Sequence, residues 1–269
     1  MEVASIVAHG GEEPFLTGEH GVGNVFFSRC NMACVFCQNH AISHESHGAI
    51  CSPEELADRL LELQERGCPT VGFVSPTQYL AQVRETIVIA RNRGLSVPVV
   101  WNSNAFESVS ALRTLDGLVE IYLPDLKYAD DTYAAGYSSA PGYVAASRAA
   151  VIEMYRQAGV LRIEDGLARK GLCVRHLVLP NGLSGTEETL GFIAGISREI
   201  TVSLMSQYSP LFRAGAHPLL SRKLRHSEYW RAVETAEALG LVNTLIQDPE
   251  TSPDELIPDF GRENPFGQR

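Results

Sequence analysis

The feature that most limits how this 269-residue chain can fold is an alternation of short β-branched or aliphatic runs with helical patterns. The runs are Asn24 to Ser28, Thr70 to Val74, Val97 to Trp101, Val119 to Leu123, Cys173 to Leu179 and Thr201 to Met205, and each reads as a buried strand. Most precede a helix. The clearest helix starts after Ser52: Ser52 and Glu55 have capping-box spacing, Pro53 occupies the first helical position, Leu56, Leu60 and Leu63 share one face, and Gly67 ends the pattern. Similar patterns run from Leu80 to Arg93 before Gly94 and from Tyr143 to Ala158 before Gly159. Ser184 with Glu187 repeats the capping-box spacing, and Ser227 is expected to cap a helix reaching Gly240.

Strands joined by crossover helices lie parallel. Six such units build either a barrel two units short of eight or an open doubly wound sheet. The chain shows no repeat, low-complexity tract or linker, so a single α/β domain is expected: a lead over residues 1–22, a core over 23–246 and a surface tail over 247–269. Residues Asp130 to Gly142 and the tail with Pro249, Pro253, Pro258 and Pro265 read as loop. The strands end in polar groups: Ser28-Arg29-Cys30, Ser75-Pro76-Thr77-Gln78, Asn102-Ser103-Asn104, Asp125-Leu126-Lys127, Pro180-Asn181 and Ser206-Gln207-Tyr208. Because parallel βα folds open all strand carboxyl ends on one face, these segments converge on one site.

Acidic residues outnumber basic ones by 32 to 22, for a formal charge of -10, which argues against a binder of nucleic-acid backbones or anionic membranes. No stretch is long and apolar enough to span a bilayer, and residues 1–9 lack a basic secretory start, so a cytoplasmic protein is expected. Its six cysteines then read as thiols rather than disulfides. Three of them, Cys30, Cys34 and Cys37, stand as C-x3-C-x2-C straight after the first run. Thiolates are the soft ligands of zinc and iron-sulfur clusters. A structural zinc would draw a fourth ligand from His40, His44, His47 or Cys51, whereas a cluster held by three thiolates keeps one iron open.

The triplet, with Phe36 before its third cysteine, resembles the signature of the radical S-adenosylmethionine (radical SAM) superfamily. The segments GEEP, GNVFFSRCNMACVFCQNH, VSPTQYL, VVWNSNAFES, IYLPDLKYAD, VRHLVLPN and LMSQYSPLFRA are similar to those of its pyruvate formate-lyase activating enzyme-like branch. The resemblance implies a partial (βα)6 TIM-type barrel. It also implies a 4Fe-4S cluster held by Cys30, Cys34 and Cys37, whose open iron binds S-adenosylmethionine. Reductive cleavage of that cofactor yields methionine and a 5′-deoxyadenosyl radical that abstracts hydrogen from a substrate.

By the same resemblance, Phe36 lies beside the cofactor, and Ser75, Pro76 and Thr77 stand where relatives carry a Gly-Gly-Glu run whose backbone meets the methionine amine. Asn102 and Ser103 fall at cofactor-contacting positions. Asp125 and Lys127 match an Asp-x-Lys pair placed to contact the cofactor or a cation, and Arg175 matches a basic residue on the fifth strand. Gln207 and Tyr208 stand where activating enzymes often carry a His. The competing structural reading makes Asp125, Lys127 and Arg175 ion pairs at the barrel rim. Cys68 and Cys173 read as packing thiols away from the site, and Cys51 as a candidate redox or substrate-contacting thiol on its face. Three functions follow: a glycyl-radical activase, a radical enzyme tailoring a small molecule or peptide, or a zinc-stabilised binding protein. The first two require a flavodoxin- or ferredoxin-type reductant. The basic group Arg222, Lys223, Arg225 and Arg231 reads as a solvated helix approach or a site for phosphate or an acidic electron donor.

Overall fold

The computed structural model of the protein describes residues 1–248, 257–262 and 264–267. All six aliphatic runs form strands of one sheet. In chain order the strands are β1 (Glu2–His9), β2 (Val22–Phe27), β3 (Ala49–Ile50), β4 (Val71–Val74), β5 (Val99–Ser103), β6 (Ile121–Pro124), β7 (Arg162–Glu164), β8 (Leu167–Leu177), β9 (Thr201–Met205) and β10 (Thr244–Ile246). The helices are α1 (Pro14–Thr17), α2 (His40–Ser43), α3 (Pro53–Glu65), α4 (Leu80–Asn92), α5 (Val109–Arg113), α6 (Asp131–Ser138), α7 (Tyr143–Ala158), α8 (Thr186–Ile196) and α9 (His226–Ala238). The hydrogen-bonded order is β10-β9-β8-β6-β5-β4-β2-β1-β3. Pairing is parallel from β2 through β10. The fold is a mostly parallel, partial TIM-type barrel, and β1, β3 and β7 add antiparallel pairs at its margins.

Period-two alternation sorts each strand into an outer and an inner row. The outer row includes Phe27, Phe73, Trp101, Tyr122, Val174 and Leu204, which pack against Leu56, Leu60 and Leu63 of α3, Val83 and Ile87 of α4, Val151 and Met154 of α7, and Tyr229 and Val233 of α9. Along the inner row, Val22, Val100, Ile121, Leu123 and Cys173 join Phe15 and Leu16 of α1 in a dry floor. Two residues further along their strands, the same row turns polar at Asn24, Asn102, Asp125 and Arg175. Gly72 makes room for this change: a Cβ there would lie 2.3 Å from Asn24 Oδ1.

Several local expectations are corrected. Residues 131–138 form α6, not loop; the side chain of Asp130 accepts the Thr132 N–H at its start, and Ser139 ends it in the left-handed conformation (φ 51°). Helix α8 is capped by Gly185 (φ 60°) rather than Ser184, whose hydroxyl accepts the Leu179 N–H instead. Helix α9 begins before Ser227, with Glu228 accepting the Arg225 N–H. Cys173 is a fully buried packing thiol in the apolar floor, outside the cavity lining and two residues before Arg175 on the same inward row. In the tail, Pro249 and Pro253 lie outside the described residues, while Phe260 and Phe266 pack on Phe26 and Phe266 stacks on His9 at 3.6 Å.

His176, fully buried beside Arg175, links the end of β6 to the start of α8. Its Nδ1–H donates to the Leu126 carbonyl (2.8 Å) and its Nε2 accepts from the Thr186 hydroxyl (3.0 Å). Burial pushes its pKa from 6.5 down to about 4, so the unfolded chain takes up the proton first. The stability from this group is complete above pH 6.5 and should be lost as pH falls toward 4, by up to about 3 kcal/mol. Denaturation at stepped pH should show this loss, and His176→Asn should remove part of the slope; an unchanged slope in the variant would exclude His176 as its source.

Candidate metal and cofactor site

A cavity of about 220 Å³ opens at the carboxyl ends of the strands. One wall is the loop after β2. Cys30, Met32, Cys34, Phe36 and Cys37 border the cavity from this loop, and three backbone bonds hold the loop down. Ala33 N–H and Val35 N–H donate to the Ser138 and Tyr137 carbonyls at the end of α6 (both 2.9 Å), and Val35 accepts from Arg213 N–H (2.9 Å). Phe36 packs edge-on to Tyr128 and Tyr208.

Each cysteine sulfur meets a hydrogen-bonding group within or outside the loop. Asn104 Nδ2 and Met32 N–H both approach Cys30 Sγ at 3.5 Å, Ser138 Oγ donates to Cys34 Sγ at 3.0 Å, and Ser43 Oγ lies 3.1 Å from Cys37 Sγ. Burial pushes the Cys34 thiol up to about 12 and raises Cys37, while the Lys127 charge opposes both shifts. Thiols this costly to ionise alone need a cation to hold them as thiolates. Among the described residues no three Cys, His, Asp or Glu side chains are gathered closely enough to hold a single metal ion. Three thiols bordering one cavity are a soft donor set that suits an iron-sulfur cluster. Of the nearby histidines, His40 and His44 pack against Phe212, with the buried Nε2 of His44 left without a hydrogen-bond partner, and His47 pairs with Glu45.

Opposite the sulfurs lies a buried charge network. Arg175 Nε donates to Asp125 Oδ1 (2.7 Å), while its terminal nitrogens donate to Asn102 Oδ1 (2.7 Å) and Glu12 Oε2 (3.3 Å). Lys127 Nζ donates to Asp125 Oδ2 (2.6 Å), and Asn24 Nδ2 to Glu12 Oε1 (2.9 Å). Burial works against the charges of Asp125, Lys127 and Arg175; Arg175 and Lys127 nevertheless hold Asp125 below the usual carboxylate range, and Asp125 holds Lys127 above the usual lysine range. Just below, burial raises the Glu13 carboxyl against the pull of Arg175, and its Oε2 has no partner. The Tyr143 hydroxyl ties the strand ends together, accepting Lys127 N–H (3.0 Å) within reach of the Asn104 and Asp125 carbonyls (3.0 and 2.8 Å).

The structure brings Cys30, Cys34, Cys37, Phe36, Ser75, Asn102, Asp125, Lys127, Arg175 and Gln207 to the cavity. It turns other expected residues away. Thr77 and Ser103 donate their hydroxyls to the buried Glu107, which also accepts from Trp101 Nε1. Pro76 opens a short 3-10 turn, with its carbonyl accepting from Tyr79. Cys51 packs on the main core outside the cavity, its thiol directed at the Ser52 carbonyl. Arg222 is held by Glu228 (both contacts 2.7 Å) and by Asn181 (2.8 Å). Glu12, Asn104, Tyr128, Ser138 and Tyr143 join the site without being singled out in advance. For Glu12 and Asn104, the GEEP segment and the strand-end polar triplet were usable signals; Ser138 had none.

The radical SAM superfamily profile matches residues 24–193, spanning the cysteine loop and the strands that carry Asn102, Asp125 and Arg175. The chain belongs to the radical SAM superfamily. It is therefore an iron-sulfur enzyme that uses S-adenosylmethionine. The chain is 31% identical over 250 residues to the uncharacterized protein MJ0674 of Methanocaldococcus jannaschii, covering 89% of this chain and 68% of that protein. Its fold is similar to Streptococcus suis SuiB bound to S-adenosylmethionine (TM-score 0.55, 12% identity, 79% of this chain and 46% of that one). It is also similar to the FeFe-hydrogenase maturase HydG from Carboxydothermus hydrogenoformans (0.58, 14%, 82% and 51%) and to methylornithine synthase PylB (0.56, 14%, 82% and 63%). The chain spans about half the length of the SuiB and HydG structures. Among the described residues no helix is long and apolar enough to cross a membrane.

The charge network gives a direct expectation for stability. Asp125→Asn leaves Arg175 and Lys127 buried without their shared anion, a defect that costs about 3–5 kcal/mol. Urea denaturation at neutral pH should show that loss; a change below about 1 kcal/mol would place the pair in the class of solvent-exposed bridges.

Proposed function

We propose that Cys30, Cys34 and Cys37 hold the 4Fe-4S cluster and that Asn102, Asp125, Lys127 and Arg175 hold S-adenosylmethionine, with Ser75, Phe36 and Gln207 around it. One observation carries this reading: the three sulfurs and the buried charge network border the same cavity. When bound, the reduced cluster supplies the electron that splits S-adenosylmethionine into methionine and the hydrogen-abstracting 5′-deoxyadenosyl radical. The chain's own residues do the positioning. Arg175 has five N–H groups, of which Asp125, Asn102 and Glu12 engage three, leaving donors for a carboxylate or hydroxyl. Lys127 keeps donors beyond its bond to Asp125. Met32, Phe36, Leu177 and Met205 line the remaining wall with apolar surface and exclude water from the reacting atoms.

We infer an activase-like role, with a glycyl residue of a partner protein as the hydrogen donor and a flavodoxin- or ferredoxin-type protein as reductant. Support comes from the Asp125-Leu126-Lys127 motif, its similarity to the activating enzyme-like branch, and the placement of both charged side chains on the cavity. The competing substrate is a small molecule or peptide in a biosynthetic pathway.

Anaerobically reconstituted protein should contain about four iron and four sulfide per chain and release 5′-deoxyadenosine from S-adenosylmethionine after dithionite reduction. Cys34→Ala should lose both iron and cleavage, while Cys173→Ala should keep both. Bound zinc without sulfide, or equal tolerance at the two positions, would overturn the ligand set. Incubation with a peptide carrying deuterated glycine should place label in the nucleoside; label arriving only from a small-molecule substrate would replace the activase-like role with the tailoring one.

A further inference from the structure

Of the three cavity sulfurs, that of Cys34 has the most enclosed surroundings. Ser138 is fully buried, Tyr128 is 2% exposed and Cys34 is 9% exposed. Ser138 Oγ lies 3.0 Å from Cys34 Sγ, and Tyr128 Oη lies 2.7 Å from Ser138 Oγ. A thiolate sulfur only accepts hydrogen bonds, so the single Ser138 hydrogen points at sulfur, and the Tyr128 hydroxyl must then donate into Ser138. The two hydroxyls form a chain aimed at one sulfur. The other cysteines meet different groups: Asn104 Nδ2, shared with Asn31 Oδ1 (2.7 Å), and Met32 N–H both lie 3.5 Å from Cys30 Sγ, and the Ser43 hydroxyl lies 3.1 Å from Cys37 Sγ.

We propose that Tyr128 and Ser138 act in series to set the reduction potential of the cluster through Cys34. This rests on the cluster reading above. Reduction adds one electron, taken from a low-potential protein donor or dithionite, to a cluster whose thiolates share the new charge. No bond breaks, and both hydroxyls keep their protons. A donor to a ligand sulfur stabilises the electron-rich form and raises the potential. A hydroxyl that itself accepts a hydrogen bond is a stronger donor, the more so in a low-dielectric surround. Ser138 and Tyr128 are thus positioning residues that tune the cluster, and the main-chain bonds from α6 hold the loop separately: the Ser138 and Tyr137 carbonyls accept Ala33 and Val35 N–H with or without the Ser138 hydroxyl.

Potentiometric titration of the reduced-cluster EPR signal tests this on reconstituted Ser138→Ala, Tyr128→Phe and the double variant. Iron and sulfide content should match wild type, and both single variants should titrate at lower potential, with the larger drop in Ser138→Ala. Because Tyr128 acts only through Ser138, the double variant should be no lower than Ser138→Ala, and Ser138→Thr should restore the wild-type value. Unchanged potentials, or additive drops in the double variant, would overturn the series arrangement. If Ser138→Ala fails to take up iron, Tyr128→Phe decides alone: a lower potential supports the relay and an unchanged one contradicts it. Wild-type protein that assembles no cluster would instead overturn the ligand assignment on which this inference rests.

Discussion

The pairing of Arg175 with Asp125 is the interaction on which the cavity depends. A guanidinium on the inner row of a barrel loses its water, and without an anion that burial costs several kcal/mol. Here backbone and side chain solve the problem together. Residues 125 and 175 form an isolated parallel bridge just past the end of β6, Leu126 N–H bonds to the Arg175 carbonyl at 2.9 Å, and the side chains meet at 2.7 Å. Lys127 and Asn102 are then drawn to the same point, and Glu12 joins from the segment before α1. The result is a polar layer on a dry floor, with donors left over for a ligand.

The cysteine loop is held across the cavity by different means. Its backbone is fastened to the end of α6 and to Arg213, and its sulfurs meet hydroxyl and amide groups from Ser138, Ser43 and Asn104. Rigidity of this kind matters because outer-shell contacts orient ligands and tune the metal they hold. Tyr143 links the two halves, since its hydroxyl touches the strand end carrying Lys127 and its ring packs on Tyr128.

Much of the barrel was legible because parallel strands buried on both faces read as continuous apolar runs, and because the Ser52 capping box and the glycines after α4 and α7 mark helix ends. Strand β1 escaped because Ala4 and Ser5 interrupt its short edge pattern and it pairs antiparallel, outside the βα alternation. Helix α6 escaped because its Ala, Gly, Ser and Tyr residues make no apolar stripe. At the site, the cysteines and the Asp-x-Lys pair were legible as motifs. The orientation of Ser103 was not legible, because polarity at a strand end does not reveal which way a hydroxyl turns, and the buried Glu107 claims it.

The central claim is that one cavity holds a three-cysteine cluster and S-adenosylmethionine in direct contact. The EPR spectrum of the anaerobically reduced protein, recorded before and after adding S-adenosylmethionine, tests that contact most directly. The account expects the g-values of the cluster signal to shift in wild type as the cofactor occupies the open iron. An intact cluster whose spectrum is indifferent to S-adenosylmethionine would contradict it.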